Sequence, residues 1–359
     1  MSRIYNFSAG PSTLPVEVLQ EAQAELLDYK GIGMSIMEDS HRSPAYDAVH
    51  QEAIANLRML LQLPEAYEVL LLTGGATGQF AMVPLNLLGP GLVADYTNSG
   101  SWAAKAIKEA QVIGDVNVIA DCGKEIPTRV PCMDELTFTP GAAYVHITSN
   151  ETISGAQWPS FPQTEAPLVA DMSSDILSRP VDVSRFGLIY AGAQKNLGPA
   201  GVTVVILRRD LAERAPDSIP LFYRYRTHLA ENSLYNTPPC FAIYLVALVT
   251  RWLQAKGGVA AMEVINRRKA EMLYAAIDNN DFYRGTAVPE CRSTMNVTFR
   301  LPSEALEKQF VTEALQAGLS GLKGHRSVGG IRASIYNAMP ESGVTALVDF
   351  MKDFAQRNG

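Results

Sequence analysis

The stretch that decides the fold is Leu188-Ile-Tyr-Ala-Gly-Ala-Gln-Lys-Asn-Leu-Gly-Pro-Ala-Gly-Val-Thr-Val-Val-Ile-Leu207. Two apolar, β-branched runs flank a connection of small residues, a pattern that predicts two strands joined by a tight turn. A single lysine, Lys195, lies in that connection. With few polar neighbours its ammonium group is expected to be partly desolvated, which lowers the pKa of a lysine and frees its amine for Schiff-base chemistry. A solvated turn lysine is the alternative interpretation.

An acidic residue precedes this stretch at the end of another predicted strand. The segment Ala166-Pro-Leu-Val-Ala-Asp-Met-Ser-Ser174 predicts a short buried strand that ends at Asp171. Pyridoxal phosphate requires a carboxylate against its pyridine nitrogen and a lysine on its aldehyde. The order Asp, then a strand, then Lys is what a cofactor lying across neighbouring strand ends would require. A cap or a loop ligand is the other interpretation of Asp171.

A glycine-rich turn forms the third feature. In Leu70-Leu-Leu-Thr-Gly-Gly-Ala-Thr-Gly-Gln-Phe80 an apolar strand runs into the turn, and a helix could begin at Phe80. Backbone N–H groups at such a helix start can hold a phosphate. The segment lacks both the Walker ending and the dinucleotide-binding spacing, so it is a weak phosphate signal by itself.

These three features, in this order, resemble the aspartate-aminotransferase-like, fold type I superfamily of pyridoxal-phosphate enzymes. Further segments narrow the resemblance to the class V phosphoserine aminotransferase family, and it runs from the N-terminus to the last predicted helix. The segments that carry it are Asn6–Pro15, Met37–Arg42, Ser149–Gly155, Tyr190–Asn196, Tyr235–Pro239 and Gly324–Asn337. The two that contain His-Arg pairs are specific to this family rather than to the superfamily.

The order of the predicted elements indicates an α/β protein. Between residues 93 and 171, short β-branched runs alternate with an amphipathic helical pattern over Trp102–Gln111, which favours a mostly parallel sheet. The last hundred residues predict a separate mixture of helices and strands. The resemblance implies a large cofactor-binding domain of residues 16–258 with a mostly parallel seven-stranded sheet. It also implies a smaller α/β domain formed by residues 1–15 and 259–359.

Composition limits the function classes. Of 359 residues, 47% are hydrophobic and 19% charged, which allows a large core, and the net charge of −7 argues against nucleic-acid binding. The N-terminus lacks a secretory pattern, and the apolar segment Cys240–Val249 is too short to span a bilayer, so no membrane partner is expected and a buried or interface helix is favoured. The 4 scattered cysteines predict neither a metal site nor disulfides and favour a reducing cytoplasm.

The resemblance implies catalytic roles for Lys195 and Asp171. It places Trp102 flat against the pyridine ring and Thr152 at the 3-hydroxyl side. Cofactor phosphate would be held by Gln194 and by the backbone of Ala76 and Thr77. Asn236 and Thr237 would reach the phosphate of the neighbouring subunit, which implies a homodimer with shared active sites. The cofactor-binding set implied is therefore Ala76, Thr77, Trp102, Thr152, Asp171, Gln194, Lys195, Asn236 and Thr237.

An anionic substrate needs a local cluster of positive charge in an acidic chain. The candidates are His41, Arg42, His325, Arg326 and Arg332. Arginine forks bind carboxylate and phosphate in a bidentate way, although an isolated arginine is more often part of a surface ion pair. The resemblance implies that both His-Arg pairs contact substrate phosphate and that Arg332 grips the α-carboxylate.

Two positions depart from some members of the family, which carry Arg where this chain has Thr77 and Ser where it has Ala9. Both positions lie close to the substrate or cofactor phosphate in those members. The loss of the arginine leaves more of the phosphate binding to Arg42, His325 and Arg326. Because the rest of the pattern is intact, the reaction is expected to be unchanged.

The implied reaction transfers an amino group between glutamate/2-oxoglutarate and 3-phosphohydroxypyruvate/O-phosphoserine in serine biosynthesis. The phosphorylated 4-hydroxythreonine step of vitamin B6 synthesis is a second expected activity. The nearest rival is another transaminase or a desulfurase of the same superfamily. A desulfurase needs a reactive cysteine on a flexible loop, for which Cys291 is the candidate. Another rival is a non-catalytic regulator on the same fold, which would tolerate loss of Lys195 or Asp171 and would usually carry an added DNA-binding module.

Overall fold

The computed structural model describes residues 3–122 and 128–359. Its strands are β1 (Tyr5–Asn6), β2 (Tyr67–Gly74), β3 (Val93–Asn98), β4 (Asp115–Asp121), β5 (Val145–Thr148), β6 (Asn150–Glu151), β7 (Ala156–Gln157), β8 (Leu168–Asp171), β9 (Leu188–Gly192), β10 (Gly201–Arg208), β11 (Arg284–Gly285), β12 (Asn296–Arg300), β13 (Leu319–Ser320) and β14 (Ile331–Ser334). Its α-helices are α1 (Val16–Ala24), α2 (Pro44–Leu60), α3 (Ala76–Leu87), α4 (Ser101–Ile113), α5 (Arg209–Ala212), α6 (Tyr225–Ala230), α7 (Cys240–Ala255), α8 (Gly258–Asp278), α9 (Glu304–Gln316) and α10 (Glu341–Asn358).

A seven-stranded sheet forms the centre of the chain, in the order β2-β10-β9-β8-β5-β3-β4. The strands from β9 to β4 pair in parallel, and β10 is antiparallel to both of its neighbours, β2 and β9. This confirms the predicted mostly parallel seven-stranded sheet. Since parallel strands end at one edge, β2, β5, β8 and β9 deliver the residues that follow them to the same side of the molecule.

Each face of this sheet is covered by helices over its own hydrophobic core. The strand β8 is buried along its whole length, and its alternate residues Val169 and Ala170 enter different cores. One core contains residues of α2 and α7, and the other contains residues of α3 and α4. Burial on both faces explains why the central strands are continuous apolar runs rather than alternating patterns.

A third core lies beside the antiparallel sheet β11-β12-β14. It is formed with α8, α9 and α10 and is rich in aromatic rings, among them Phe299, Phe310 and Phe354. The N-terminal strand β1 pairs in parallel with β13. The division into residues 16–258 and residues 1–15 with 259–359 stays a prediction, and residues 1 and 2 lie outside the described part of the chain.

The helix after the glycine-rich turn begins at Ala76, four residues before the expected Phe80. Gly75 is extended and forms the N-cap, so Gly78 lies inside the first turn. A glycine there weakens a helix by about 1 kcal/mol relative to alanine, which the apolar remainder of α3 can offset.

The helix expected over Cys240–Val249 continues to Ala255. Within residues 3–122 and 128–359, no helix has both the length and the apolar character that a bilayer crossing requires.

Candidate active site

A cavity of about 300 Å³ opens at the edge where the parallel strands end. The N-terminal segment and two helix starts complete its wall. The predicted site residues that line it are Ala76, Thr77, Trp102, Thr152, Asp171, Gln194, Lys195, His325 and Arg332. Segments that are far apart in the sequence therefore meet around one space.

Lys195 lies just after β9 and is only 9% exposed. Its Nζ donates a hydrogen bond to Thr152 Oγ1 at 2.7 Å. Burial lowers the pKa of Lys195 to about 8, and the carboxylate of Asp171 opposes that shift. The burial of Lys195 confirms the desolvation expected from the sequence. As a consequence, a substantial fraction of its amine is neutral near pH 8.

The N-terminal segment covers the backbone of this lysine. Ser12 donates from Oγ to the Lys195 carbonyl at 2.9 Å and from its backbone N–H to the Gln194 carbonyl at 3.0 Å. Tyr336 holds the same segment by donating its hydroxyl to the Ala9 carbonyl at 2.7 Å. Sequence reasoning missed Ser12 and Tyr336, because contacts between the two ends of a chain leave no local pattern.

Asp171 ends β8 and is buried beside the cavity. Its Oδ1 accepts two hydrogen bonds from Ser173, one from the backbone N–H at 2.9 Å and one from the hydroxyl at 2.6 Å. Burial raises the pKa of Asp171, while the bonds from Ser173 and the charge of Lys195 lower it. Because both bonds end on Oδ1, Oδ2 is the oxygen available to a ligand.

The first turn of α4 presents Trp102 to the cavity. Lys195 Nζ lies 5.9 Å from the centroid of the Trp102 ring, and Lys105 Nζ lies 4.2 Å from it. The indole Nε1 is buried and has no hydrogen-bond partner among the described residues. An aromatic face next to the lysine is suited to a flat ring that reacts with an amine.

The N-terminus of α3 provides an anion-binding surface. The N-cap residue Gly75 gives no side-chain hydrogen bond, and Ala76 and Thr77 are the first helical residues. Backbone N–H groups in a first turn have no intrahelical acceptor, and the helix dipole adds partial positive charge. Thr77 and Ala9, the two positions that depart from the family pattern, both line the cavity.

Two basic side chains, Arg332 and His325, form another part of the cavity wall. Arg332, on β14, has a buried Nε without a hydrogen-bond partner in the described part of the chain, and burial lowers its pKa. Burial lowers the pKa of His325 as well, with further contributions from the positive charges of Arg332, Arg326 and Lys105. An unpaired buried guanidinium N–H is costly, so this wall is suited to an anionic ligand.

Five predicted residues do not line the cavity of a single chain. Arg42, Arg326 and Thr237 are exposed, and His41 and Asn236 are partly exposed. Asn236 Nδ2 bonds the Thr237 carbonyl at 3.1 Å and approaches Thr73 Oγ1 at 3.5 Å. One chain thus assembles the lysine, the aspartate and one arginine but leaves both members of the first His-Arg pair outside.

The residues present fit pyridoxal phosphate. The free Oδ2 of Asp171 matches a protonated pyridine nitrogen, and the uncapped start of α3 matches a phosphate. Lys195 lines the same cavity, and its Nζ lies beside the Trp102 ring. Within the described ranges, no group of His, Cys, Asp or Glu side chains is arranged to hold a metal ion.

Comparison with known proteins gives consistent results. The aminotransferase class-V family matches residues 4–347. The phosphoserine aminotransferase of Desulfatibacillum aliphaticivorans is 57% identical over 361 residues, covering 100% of this chain and 99% of its own length. The solved phosphoserine aminotransferase of Bacillus circulans subsp. alkalophilus has a TM-score of 0.98 and 55% identity, with 99% of both chains covered. The pyridoxal-phosphate-bound phosphoserine aminotransferase of Trichomonas vaginalis has a TM-score of 0.95 and 42% identity, covering 98% of this chain and 100% of its own.

Proposed function

The chain belongs to the class-V aminotransferase family, and on that premise we propose that it is a phosphoserine aminotransferase of fold type I. It moves an amino group between glutamate/2-oxoglutarate and 3-phosphohydroxypyruvate/O-phosphoserine, a step of serine biosynthesis. The observation that carries this assignment is one cavity lined by a buried lysine of lowered pKa, a buried aspartate and an arginine whose buried Nε has no hydrogen-bond partner among the described residues. The identity of 55–57% with phosphoserine aminotransferases along the whole chain supports the substrate.

The cofactor is pyridoxal phosphate, as the family and the cofactor-bound relative indicate. When bound, it supplies the aldehyde that receives the amino group and a ring that accepts electron density from the reacting carbon. We infer that Asp171 Oδ2 holds the proton of the ring nitrogen and that Trp102 packs on the ring. Gln194 and the first N–H groups of α3 hold the phosphate.

Proton transfer is assigned to Lys195. With the cofactor bound, Nζ would remove the proton from Cα of the amino-acid substrate as a general base and would deliver it to the former aldehyde carbon of the cofactor as a general acid. The pKa of about 8 suits both directions near neutral pH. Thr152 orients the amine through the 2.7 Å contact, and Ser12 of the N-terminal segment holds the backbone of the lysine.

Basic side chains match the negative charge of the substrates. We infer that Arg332 grips the α-carboxylate that both substrates share, and that His325 together with Arg326 binds the phosphate or the γ-carboxylate. Thr77 cannot supply the positive charge that an arginine gives some relatives at this position. More of the phosphate binding therefore falls to the two His-Arg pairs.

The active unit is proposed to be a homodimer with shared sites. His41, Arg42, Asn236 and Thr237 lie outside the cavity of their own chain, as residues that serve a partner would. The segment that leads to Arg42 also exposes large apolar side chains, among them Leu27 at 86% exposure and Met37 at 53%. Apolar surface of this kind is typical of an interface.

We further propose a cytoplasmic setting, because all four cysteines are free. The phosphorylated 4-hydroxythreonine step of vitamin B6 synthesis is proposed as a second activity, since the longer substrate carries the same α-carboxylate and phosphate.

The desulfurase alternative gains no support, because Cys291 does not line the cavity and is packed against a core.

The test is a transamination assay on the purified protein with pyridoxal phosphate. Glutamate and 3-phosphohydroxypyruvate should yield 2-oxoglutarate, and 3-hydroxypyruvate, which lacks only the phosphate, should be a poor acceptor. Release of sulfide from cysteine without transamination would support the desulfurase instead. Equal rates with the two keto acids would remove the reason for assigning a phosphorylated substrate.

A further inference from the structure

We propose that Glu151 is a positioning residue, whose carboxylate caps α4 from outside the helix and thereby holds Trp102 in the cofactor cavity. Glu151 belongs to the short strand β6 and is fully buried. It does not line the cavity itself, so its role would be exerted through the residues it holds.

The start of α4 lacks the cap that a helix normally supplies for itself. Its N-cap residue is Gly100, which gives no side-chain hydrogen bond, whereas Ser, Thr, Asp and Asn are preferred there. The first N–H groups of a helix must nevertheless find acceptors when they are buried. In α4 the acceptor comes from another part of the chain.

Glu151 supplies both of its oxygens to this helix start. Oε2 accepts from the backbone N–H of Trp102 at 3.3 Å, and Oε1 accepts from that of Ala103 at 3.2 Å. The hydroxyl of Ser99 donates to Oε1 as well, at 3.2 Å. A carboxylate at a helix N-terminus also interacts favourably with the helix dipole. The residue that carries the indole ring is thus bound directly by Glu151.

The carboxylate of Glu151 occupies the space that a side chain at position 100 would need. A Cβ atom at position 100 would lie 2.7 Å from Glu151 Cδ, so a side chain there would displace the carboxylate. The backbone of Gly100 is extended and sets no requirement for glycine. We infer that the space taken by Glu151 is the reason for Gly100.

Glu151 also connects two walls of the cavity. The next residue, Thr152, accepts the hydrogen bond from Lys195 Nζ. Asn150 fixes the other side of β6 through bonds of 2.8 Å to Ser174 Oγ and to Asn296 Oδ1. The same short strand therefore sets the position of the lysine's partner and that of the aromatic ring.

The charge of Glu151 is held at a cost. Burial raises the pKa of Glu151 to about 7, even though the hydrogen bonds from the N–H groups of Ala103 and Trp102 and from the hydroxyl of Ser99 lower it. The nearby carboxylate of Asp171 raises it further, while the ammonium group of Lys195 lies close enough to interact. A buried acid that faces N–H donors with both oxygens is poorly replaced by a group of equal size without charge.

The first experiment measures the dissociation constant of pyridoxal phosphate by equilibrium dialysis for the full chain and its Glu151→Gln variant. The amide has the same shape but turns an N–H donor toward one of the two N–H donors of α4. We expect cofactor binding to weaken about tenfold, with an altered near-ultraviolet circular dichroism signal of tryptophan in the cofactor-free protein. The exposed Glu65→Gln variant is the matched control and should bind as the original chain does.

The second experiment moves the cap to its usual place. Gly100→Ser alone should weaken cofactor binding, because its side chain meets Glu151. In a Glu151→Ala background that space is empty, and the serine hydroxyl can cap α4 itself, so Gly100→Ser should tighten binding at least threefold relative to Glu151→Ala. At saturating cofactor, Glu151→Gln should keep the KM for glutamate, because Arg332 is unaffected.

Two results would overturn the proposal. One is a Glu151→Gln variant that binds pyridoxal phosphate as the original chain does, and the other is a Gly100→Ser substitution that gives no gain in the Glu151→Ala background. The Gln variant decides the matter if Glu151→Ala fails to fold. The inference rests on the proposed function in one respect, the packing of Trp102 on the cofactor. The dissociation constants for pyridoxal phosphate do not depend on the substrate, so they test the inference even if the substrate is another keto acid.

Discussion

Lys195 Nζ and Thr152 Oγ1 are joined by a hydrogen bond of 2.7 Å. Lys195 lies three residues after β9, and Thr152 directly follows β6, so this contact joins two separate segments. It holds the amine inside the cavity. Since Thr152 can accept from a neutral amine as well as from an ammonium group, the contact does not oppose loss of a proton. Burial, rather than a hydrogen bond, therefore sets the pKa of Lys195.

Reactivity of Lys195 should follow its lowered pKa. Below pH 8 the amine is mostly protonated, and above pH 8 it is mostly neutral, because its pKa is about 8. Only the neutral amine attacks an aldehyde, so the rate at which the cofactor-free protein combines with pyridoxal should rise with pH and level off above about 8. Pyridoxal is used because it lacks the phosphate, which titrates near pH 6.

Stopped-flow absorbance measures this rate, and Lys195→Ala provides the background from other lysines. An ordinary lysine would give a midpoint near 10.4. A midpoint in that range would show that the amine is not desolvated.

Asp171→Asn should keep the fold and still bind the cofactor, but it should lose most of its turnover. The lost charge-assisted bond to the ring nitrogen costs roughly 1.5–3 kcal/mol in binding, and the ring accepts electron density less well when it is not protonated. Dialysis and a coupled 2-oxoglutarate assay measure the two effects.

Asp175→Asn is the matched control for this change. Asp175 is also buried, and it accepts bonds from Ser149 and Gln157 but does not line the cavity. Its loss should lower stability more than turnover. Near-normal turnover in Asp171→Asn would rule out the role at the ring nitrogen.

Shared sites can be tested by complementation. A chain with Lys195→Ala is mixed with one that carries both Asn236→Ala and Thr237→Ala, and the subunits are allowed to exchange. In a mixed dimer one site collects all the defects and the other is intact, so activity should return. If subunit exchange is verified and no activity appears, Asn236 and Thr237 do not serve the partner's site.

The second His-Arg pair should distinguish the two substrates. Arg326→Ala is expected to raise the KM for 3-phosphohydroxypyruvate tenfold or more and that for glutamate less, since a phosphate dianion demands more positive charge than a γ-carboxylate. Charge-assisted bonds of about 1.5–3 kcal/mol set this scale. Arg332→Ala should weaken both substrates, because both present an α-carboxylate.

Arg268→Ala is the control for this comparison, since Arg268 is exposed and pairs with Glu341. It should change neither KM. An Arg326→Ala enzyme with an unaltered KM for 3-phosphohydroxypyruvate would show that the phosphate lies elsewhere.

The sheet and the two central site residues could be predicted from the sequence because their signals are local. The two strands concerned are short apolar runs: Asp171 is the last residue of β8, and Lys195 lies three residues after the end of β9. The sequence predicts the start of α3 four residues too late, because the glycines around Ala76 resemble a loop and the stabilising contacts come from packing. Helix propensity alone does not include that packing.

Residues that act across the fold were not predictable in the same way. Glu151 bonds a helix 48 residues away, and Tyr336 bonds a carbonyl 327 residues away. Lys269, on α8, is buried and donates to the carbonyls of Ile335, Tyr336 and Met339 at 2.8–3.1 Å. The hydrophobic periodicity of a sequence reports on local structure and does not reveal partners that are far apart along the chain.

The central claim is that Lys195 is the lysine that bonds the cofactor aldehyde. Its most direct test is borohydride reduction of the cofactor-loaded protein, followed by proteolysis and peptide mass spectrometry. We expect the pyridoxyl mass on the peptide that contains Lys195 and its absence from that peptide in Lys195→Ala, together with loss of the visible absorbance. A stoichiometric label on another lysine, or a labelled and active Lys195→Ala variant, would contradict the account.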